Sequence, residues 1–142
     1  MIRVVLDTNV VVSAALIDEG LPSAIFDLAT NRHILMLVSP DILAEYEKVL
    51  HYPRLKLDPA RIKGFLSDIR KAGELVMPAR TLKISRDEAD NRFYECAGTG
   101  KANFLITGNT QHFPVHHKGT KIVTPREFIE RLGLFLTEGG KQ

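Results

Sequence analysis

The sequence predicts an α/β fold, a parallel sheet with helices on both faces. Two observations carry this. The short apolar runs Val4-Val5-Leu6, Leu35–Val38 and Phe104–Ile106 do not alternate, the mark of strands covered on both sides. Segments with helical apolar spacing lie between these runs, many opened by a capping residue or a proline.

The elements follow in order. Asp7-Thr8-Asn9 offers N-cap side chains for a helix over residues 10–16, which Gly20 breaks. Pro22 opens a second helix with Ala24, Ile25, Leu28 and Ala29 inward. After the second strand, Ser39-Pro40 reads as N-cap and N1 of a helix over 41–50, ended by Pro53. Asp58-Pro59 starts another, with Ile62, Phe65, Leu66 and Ile69 on its apolar face. A strand is expected at 74–77, stopped by Pro78. Asp87 starts a helix to about Ala97, ended by Gly98 and Gly100. Ile122-Val123 reads as the fifth strand, and Thr124-Pro125 opens the last helix.

At 142 residues the chain is expected to form one domain over 1–136, with a loose polar tail at 137–142. Its 44% hydrophobic and 25% charged residues place it among ordinary globular proteins. A net charge of +2 is compatible with a nucleic-acid partner without requiring one. The single Cys96 excludes an internal disulfide and fits a reducing compartment. No apolar run approaches the ~18–20 residues of a membrane span, and Asp7 interrupts the N-terminal run, so neither a membrane anchor nor a signal peptide is expected. The expected location is the cytoplasm.

Three carboxylates occupy places where a carboxylate is expensive. Asp7 ends a buried strand, at the edge of the sheet where ligands of parallel α/β folds bind. It could equally serve as a helix cap, although Thr8 and Asn9 are also competent caps. Asp90 shares a helix face with Phe93, Tyr94 and Ala97, at i+3, i+4 and i+7, while Glu88 and Glu95 point away. Its competing account is the N3 place of a cap begun by Asp87. Glu45 and Glu47 border the apolar stripe of their helix on opposite sides, and spacing does not choose between them. Acids converging at strand ends without an obvious Lys or Arg partner point to a hard cation and phosphoryl chemistry.

Other signals are weaker. The stretch from Gln111 to Lys121 holds His112, His116, His117 and Lys118 and no acid; it reads either as a phosphate-contacting loop or as a wet one. Arg80, Lys83 and Arg86 form a basic loop open to the same two readings. Gly98-Thr99-Gly100-Lys101 lacks the spacing of a phosphate loop. Cys96 lies off the apolar face and reads as an idle thiol.

Four segments together resemble the PIN-domain family, in its VapC-like branch of toxin components from toxin–antitoxin pairs. They are Val4-Val5-Leu6-Asp7-Thr8-Asn9-Val10, Ser39-Pro40-Asp41-Ile42-Leu43-Ala44-Glu45-Tyr46, the segment from Asp87 to Ala97, and Phe104-Leu105-Ile106-Thr107-Gly108-Asn109. The resemblance implies a three-layer α/β/α sandwich with a central parallel sheet of about five strands. It implies an Mg²⁺- or Mn²⁺-dependent ribonuclease that cuts single-stranded RNA to a 3′-hydroxyl and a 5′-phosphate. Asp7, Glu45 and Asp90 match the family's catalytic acids, with Asp7 and Asp90 as metal ligands and Glu47 left on the surface. Asn9, Thr107 and Asn109 match supporting positions, and Arg86, His112 and Lys118 are candidate RNA contacts. An antitoxin and a second copy of the chain are the implied protein partners. One departure stands out: a further family acid falls where this chain has Asn109 or His112, which lowers the expected affinity for a second metal. It also motivates the rival expectation of a catalytically idle module that binds RNA or a protein.

Overall fold

Among the described residues the paired strands of the sheet all run parallel, and their order fixes where a site can form. In the computed structural model, which describes residues 1–79, 87–114, 116, 117 and 119–139 (backbone only from 135), five strands form one sheet. They are β1 (Arg3–Leu6), β2 (Leu35–Val38), β3 (Glu74–Leu75), β4 (Phe104–Ile106) and β5 (Lys121–Val123), in the order β3-β2-β1-β4-β5. The chain steps outward from β1 through β2 to β3, then returns across the sheet to β4 beside β1. Right-handed crossovers put the returning helix on the opposite face from those of the first steps. The reversal leaves a crevice between the carboxyl ends of β1 and β4, where ligands of open α/β sheets bind.

Among the described residues six helices cover the sheet: α1 (Thr8–Leu16), α2 (Leu21–Thr30), α3 (Pro40–Leu50), α4 (Pro59–Ala72), α5 (Glu88–Thr99) and α6 (Pro125–Gly139). The expected caps are in place for α3 and α4. Ser39 accepts from the Ile42 N–H at 3.2 Å, and Asp58 from the Ala60 N–H at 2.8 Å. Helix α5 packs on β1, β2 and β4, while α6 packs on β4, β5 and α2. Val4, Val5, Leu6, Met36, Leu37, Leu105 and Ile106 are buried, as continuous apolar strands require. No single described helix is long and apolar enough to cross a membrane.

Some expectations need correction. The third strand has two residues instead of four, although the Val76 N–H still bonds the Val38 carbonyl at 2.7 Å. Among the described residues Leu75 and Met77 are exposed on this edge, while Val76 between them is buried. Helix α6 runs to Gly139, and residues 140–142 lie outside the described part. Helix α5 is buried on more than one side, so Cys96 and Glu95 do not point away from the interior. Cys96 is fully covered, and burial pushes its thiol up to about 12, which keeps it protonated and unreactive. Glu95 is buried against Arg92 at 3.1 Å.

Gly100, just past α5, makes a close approach. A Cβ there would lie 2.7 Å from Leu37 Cδ1 and 3.0 Å from both the Cys96 carbonyl and Val76 Cγ2. Gly64, inside α4, has open space around it. Urea denaturation should therefore show Gly100→Ala destabilised by about 1–3 kcal/mol through overpacking. Gly64→Ala should be stabilised by about 0.5–1 kcal/mol through helix propensity.

Candidate active site

Asp7 stands at the reversal of the sheet because β1 ends there and α1 begins. Its backbone N–H bonds the Ile106 carbonyl at 2.9 Å, the last rung between β1 and β4. Its two carboxylate oxygens do separate jobs. Oδ1 accepts the Thr8 N–H at 2.8 Å, so Asp7 itself is the N-cap of α1, and Thr8 and Asn9 are not. Oδ2 accepts the Thr107 hydroxyl at 2.8 Å. Capping and site-building, which the sequence offers as alternatives, are therefore the same placement.

Thr107 directly follows β4 and is fully buried. Its hydroxyl oxygen in turn accepts the Asn109 N–H at 3.1 Å. Asn9 reaches across from α1, accepting the Gly108 N–H at 2.9 Å. The turn after β4 is thus stapled to the start of α1 from both sides. The Asn109 side chain caps the short 3₁₀ turn Thr110–His112, accepting the Gln111 N–H at 3.0 Å.

Glu45 is brought in by Tyr46. That ring is fully buried, and its hydroxyl donates to the Leu6 carbonyl, one residue before Asp7. The bond ties α3 to the end of β1. The neighbouring Glu45 is half-buried and lines the same cleft as Asp7, whereas Glu47 is exposed on the far side of the helix. Packing therefore makes the choice that spacing leaves open. Burial raises the Tyr46 phenol well above its usual range, so it stays a hydrogen-bond donor.

Asp90 arrives on α5. Asp87 caps that helix, accepting the Ala89 N–H at 2.9 Å, and Asp90 occupies the third helical position, half-buried and facing the cleft. Phe93 packs tilted against Tyr46, with centroids 6.4 Å apart, and locks α5 to α3 beneath the carboxylates. Phe113 is wedged edge-on against Phe93 and Tyr94, at 6.0 and 5.4 Å, and anchors the segment that carries His112.

The result is a cleft of about 400 Å³ bordered by Asp7, Glu45, Asp87, Asp90 and His112. Asn109 is not in its wall. Arg86 and Lys118 lie outside the described residues, so of the candidate RNA contacts only His112 is placed at the cleft. Sequence reading missed Tyr52 and Arg54, which also line it. Their signal, an aromatic and an arginine flanking Pro53, is too common to single out.

The electrostatics centre on Asp7. Burial pushes its carboxyl above its ordinary value. Hydrogen bonds from Thr107 and Thr8, and then the His112 ring, pull it back; Glu45 adds to the rise. Among the described residues no three His, Cys, Asp or Glu side chains converge tightly enough to cage a metal alone. The donors are nevertheless oxygen-rich. Thr8, beside Asp7, has a buried hydroxyl without a hydrogen-bond partner among the described residues. Such a wall fits a hard cation that keeps part of its water shell, as Mg²⁺ does, better than it fits zinc.

A family model of the PIN domain matches residues 3–111. The chain belongs to the PIN-domain family. The match runs from β1 to the 3₁₀ turn and so takes in Asp7, Glu45, Asp90, Asn9, Thr107 and Asn109. This PIN domain is also 31% identical, over 148 aligned positions, to the uncharacterized protein MJ1680 of Methanocaldococcus jannaschii, covering 96% of this chain and 95% of the relative. Its fold resembles a chain in the crystal structure of VapBC2 from Rickettsia felis bound to a DNA fragment from their promoter. The TM-score is 0.58 at 16% identity, covering 85% of this PIN domain and 98% of that chain.

The raised Asp7 carboxyl sets a sign for pH dependence. A carboxylate whose folded pKa exceeds its unfolded value near 3.8 costs stability once it must ionise in the folded protein. In metal-free buffer, Asp7→Asn should melt higher than the parent at neutral pH. That advantage should shrink as pH falls through the raised pKa and vanish below the unfolded value. Thermal melts across this range check it.

Proposed function

We propose that this PIN domain is a divalent-metal-dependent endoribonuclease of single-stranded RNA that serves as the toxin of a toxin–antitoxin pair. One observation carries the reading: Asp7, Glu45 and Asp90, from three separate elements, line one cleft at the reversal of a parallel sheet. PIN domains are generally nucleases. The likeness in fold to a VapBC2 chain supports the toxin–antitoxin assignment.

Asp7 and Asp90 would hold Mg²⁺ or Mn²⁺, with the Thr8 hydroxyl within the same wall. When bound, the cation would supply Lewis acidity toward the scissile phosphate and the attacking water. The protein's own groups do the rest. Thr107 and the Thr8 N–H hold the Asp7 carboxylate in one orientation. Glu45, fixed by its neighbour Tyr46, orients the water by accepting a hydrogen bond from it. Water adds to phosphorus, the bond to the 3′-oxygen breaks, and the products carry a 3′-hydroxyl and a 5′-phosphate. His112 faces the cleft where it can contact a phosphate.

The missing fourth acid favours the rival reading, an idle RNA-binding module: Asn109 spends its side-chain oxygen capping the 3₁₀ turn. Cleavage of a mixed single-stranded RNA pool separates the two. With Mg²⁺ or Mn²⁺ the parent should cut, EDTA should stop it, and Asp7→Asn should lower the rate at least about 10²-fold while remaining folded. A folded parent that binds RNA and never cuts it would establish the idle module instead. Full activity in Asp7→Asn would sink the carboxylate scheme.

A further inference from the structure

We propose that Tyr52 and Arg54 form a nucleotide subsite on the rim of the cleft. One RNA base stacks on the Tyr52–Arg54 pair, and the guanidinium also holds the adjoining phosphate. The inference rests on the ribonuclease reading for its choice of ligand, and on four observations for its place.

Glu45, Val49 and Tyr52 are spaced i, i+4, i+7 and all line the cleft, so α3 and its continuation present the aromatic ring on the same side as the acid. Tyr52 precedes Pro53, which restricts it to the extended backbone it adopts (φ −60°, ψ 126°). Pro53 then opens the 3₁₀ turn Pro53–Leu55, which brings the Arg54 guanidinium to 5.4 Å from the centre of the Tyr52 ring. The pair is therefore built in advance of any ligand. Finally, Arg54 makes no ion pair among the described residues, although it borders a cleft that contains several carboxylates.

A polyanion entering an acid-lined cleft is repelled unless cations meet it. Arg54 is the one Lys or Arg among the described residues of the wall. An aromatic ring backed by a guanidinium accepts any base by stacking, without reading its edge. Single-stranded RNA supplies both an unstacked base and a neighbouring phosphate; a duplex keeps its bases stacked. The subsite therefore orients the strand beside the carboxylates and contributes to affinity more than to sequence choice.

The test is fluorescence anisotropy of a short labelled single-stranded oligoribonucleotide in Ca²⁺, with an abasic site moved along the strand. Tyr52→Ala should weaken binding about tenfold, within the range for loss of one stacked base, while Tyr52→Phe stays close to the parent. At one abasic position the parent should lose a similar factor and Tyr52→Ala almost nothing further, because the base and the ring are partners. Arg54→Ala should flatten the slope of log Kd against log salt by about 0.7, one single-strand phosphate contact. Independent, multiplicative losses, unchanged binding in Tyr52→Ala, or no RNA binding by the parent would overturn the subsite. Cleavage of the same RNA in Mg²⁺ is read separately. Cutting without coupling removes the subsite and leaves the nuclease; coupling without cutting does the reverse.

Discussion

The hydrogen bond from Thr107 to Asp7 is the interaction on which the site depends. It joins the residue after β4 to the residue after β1, 100 positions apart in the chain and held together by adjacent strands of the sheet. A carboxylate buried there without donors would cost several kcal/mol or protonate. With the hydroxyl of Thr107 and the N–H of Thr8 it is partly compensated, and it remains above its ordinary pKa. That residual cost is what a divalent cation would relieve. Stability and chemistry thus meet in one side chain, which caps α1 with one oxygen and faces the β4 turn with the other.

Around this bond the fold acts as a set of anchors. Tyr46 bonds the carbonyl before Asp7 and so carries Glu45 to the cleft. Phe93 fills the space between α3 and α5 below Asp90, and Phe113 pins the segment behind His112. Each anchor is a buried aromatic adjacent to, or one turn from, a polar cleft residue. The arrangement fixes the positions of the polar cleft residues through the packing of their neighbours. The cleft then has acids set by rigid elements on one side and the Tyr52–Arg54 pair on its rim.

Much of this was legible in the sequence, for definite reasons. Continuous β-branched runs announced buried strands, and capping residues with prolines announced helix starts. Asp7 and Asp90 were visible because each breaks an apolar pattern. Glu45 was ambiguous by spacing, because two acids flank one stripe; the resemblance to the PIN family chose Glu45, and the Tyr46 anchor and the cleft supply the physical reason. Cys96 and Glu95 were misplaced because periodicity assumes a helix with one buried side, and α5 is covered on more than one. The strand expected at 74–77 is shorter than its apolar run, and both 3₁₀ turns escaped because three-residue elements carry too little pattern. Tyr52 and Arg54 were invisible because their proximity arises from the turn at Pro53 and not from helical spacing.

The central claim is that these carboxylates form a hydrated hard-cation site organised by Asp7. Electron paramagnetic resonance of Mn²⁺ added to the metal-free protein tests it most directly. The parent and Glu47→Gln should take up the ion, with the signal of an oxygen-coordinated, partly hydrated Mn²⁺, and Asp7→Asn should lose most of that affinity. Equal uptake by Asp7→Asn, or no uptake by the folded parent, would contradict the claim.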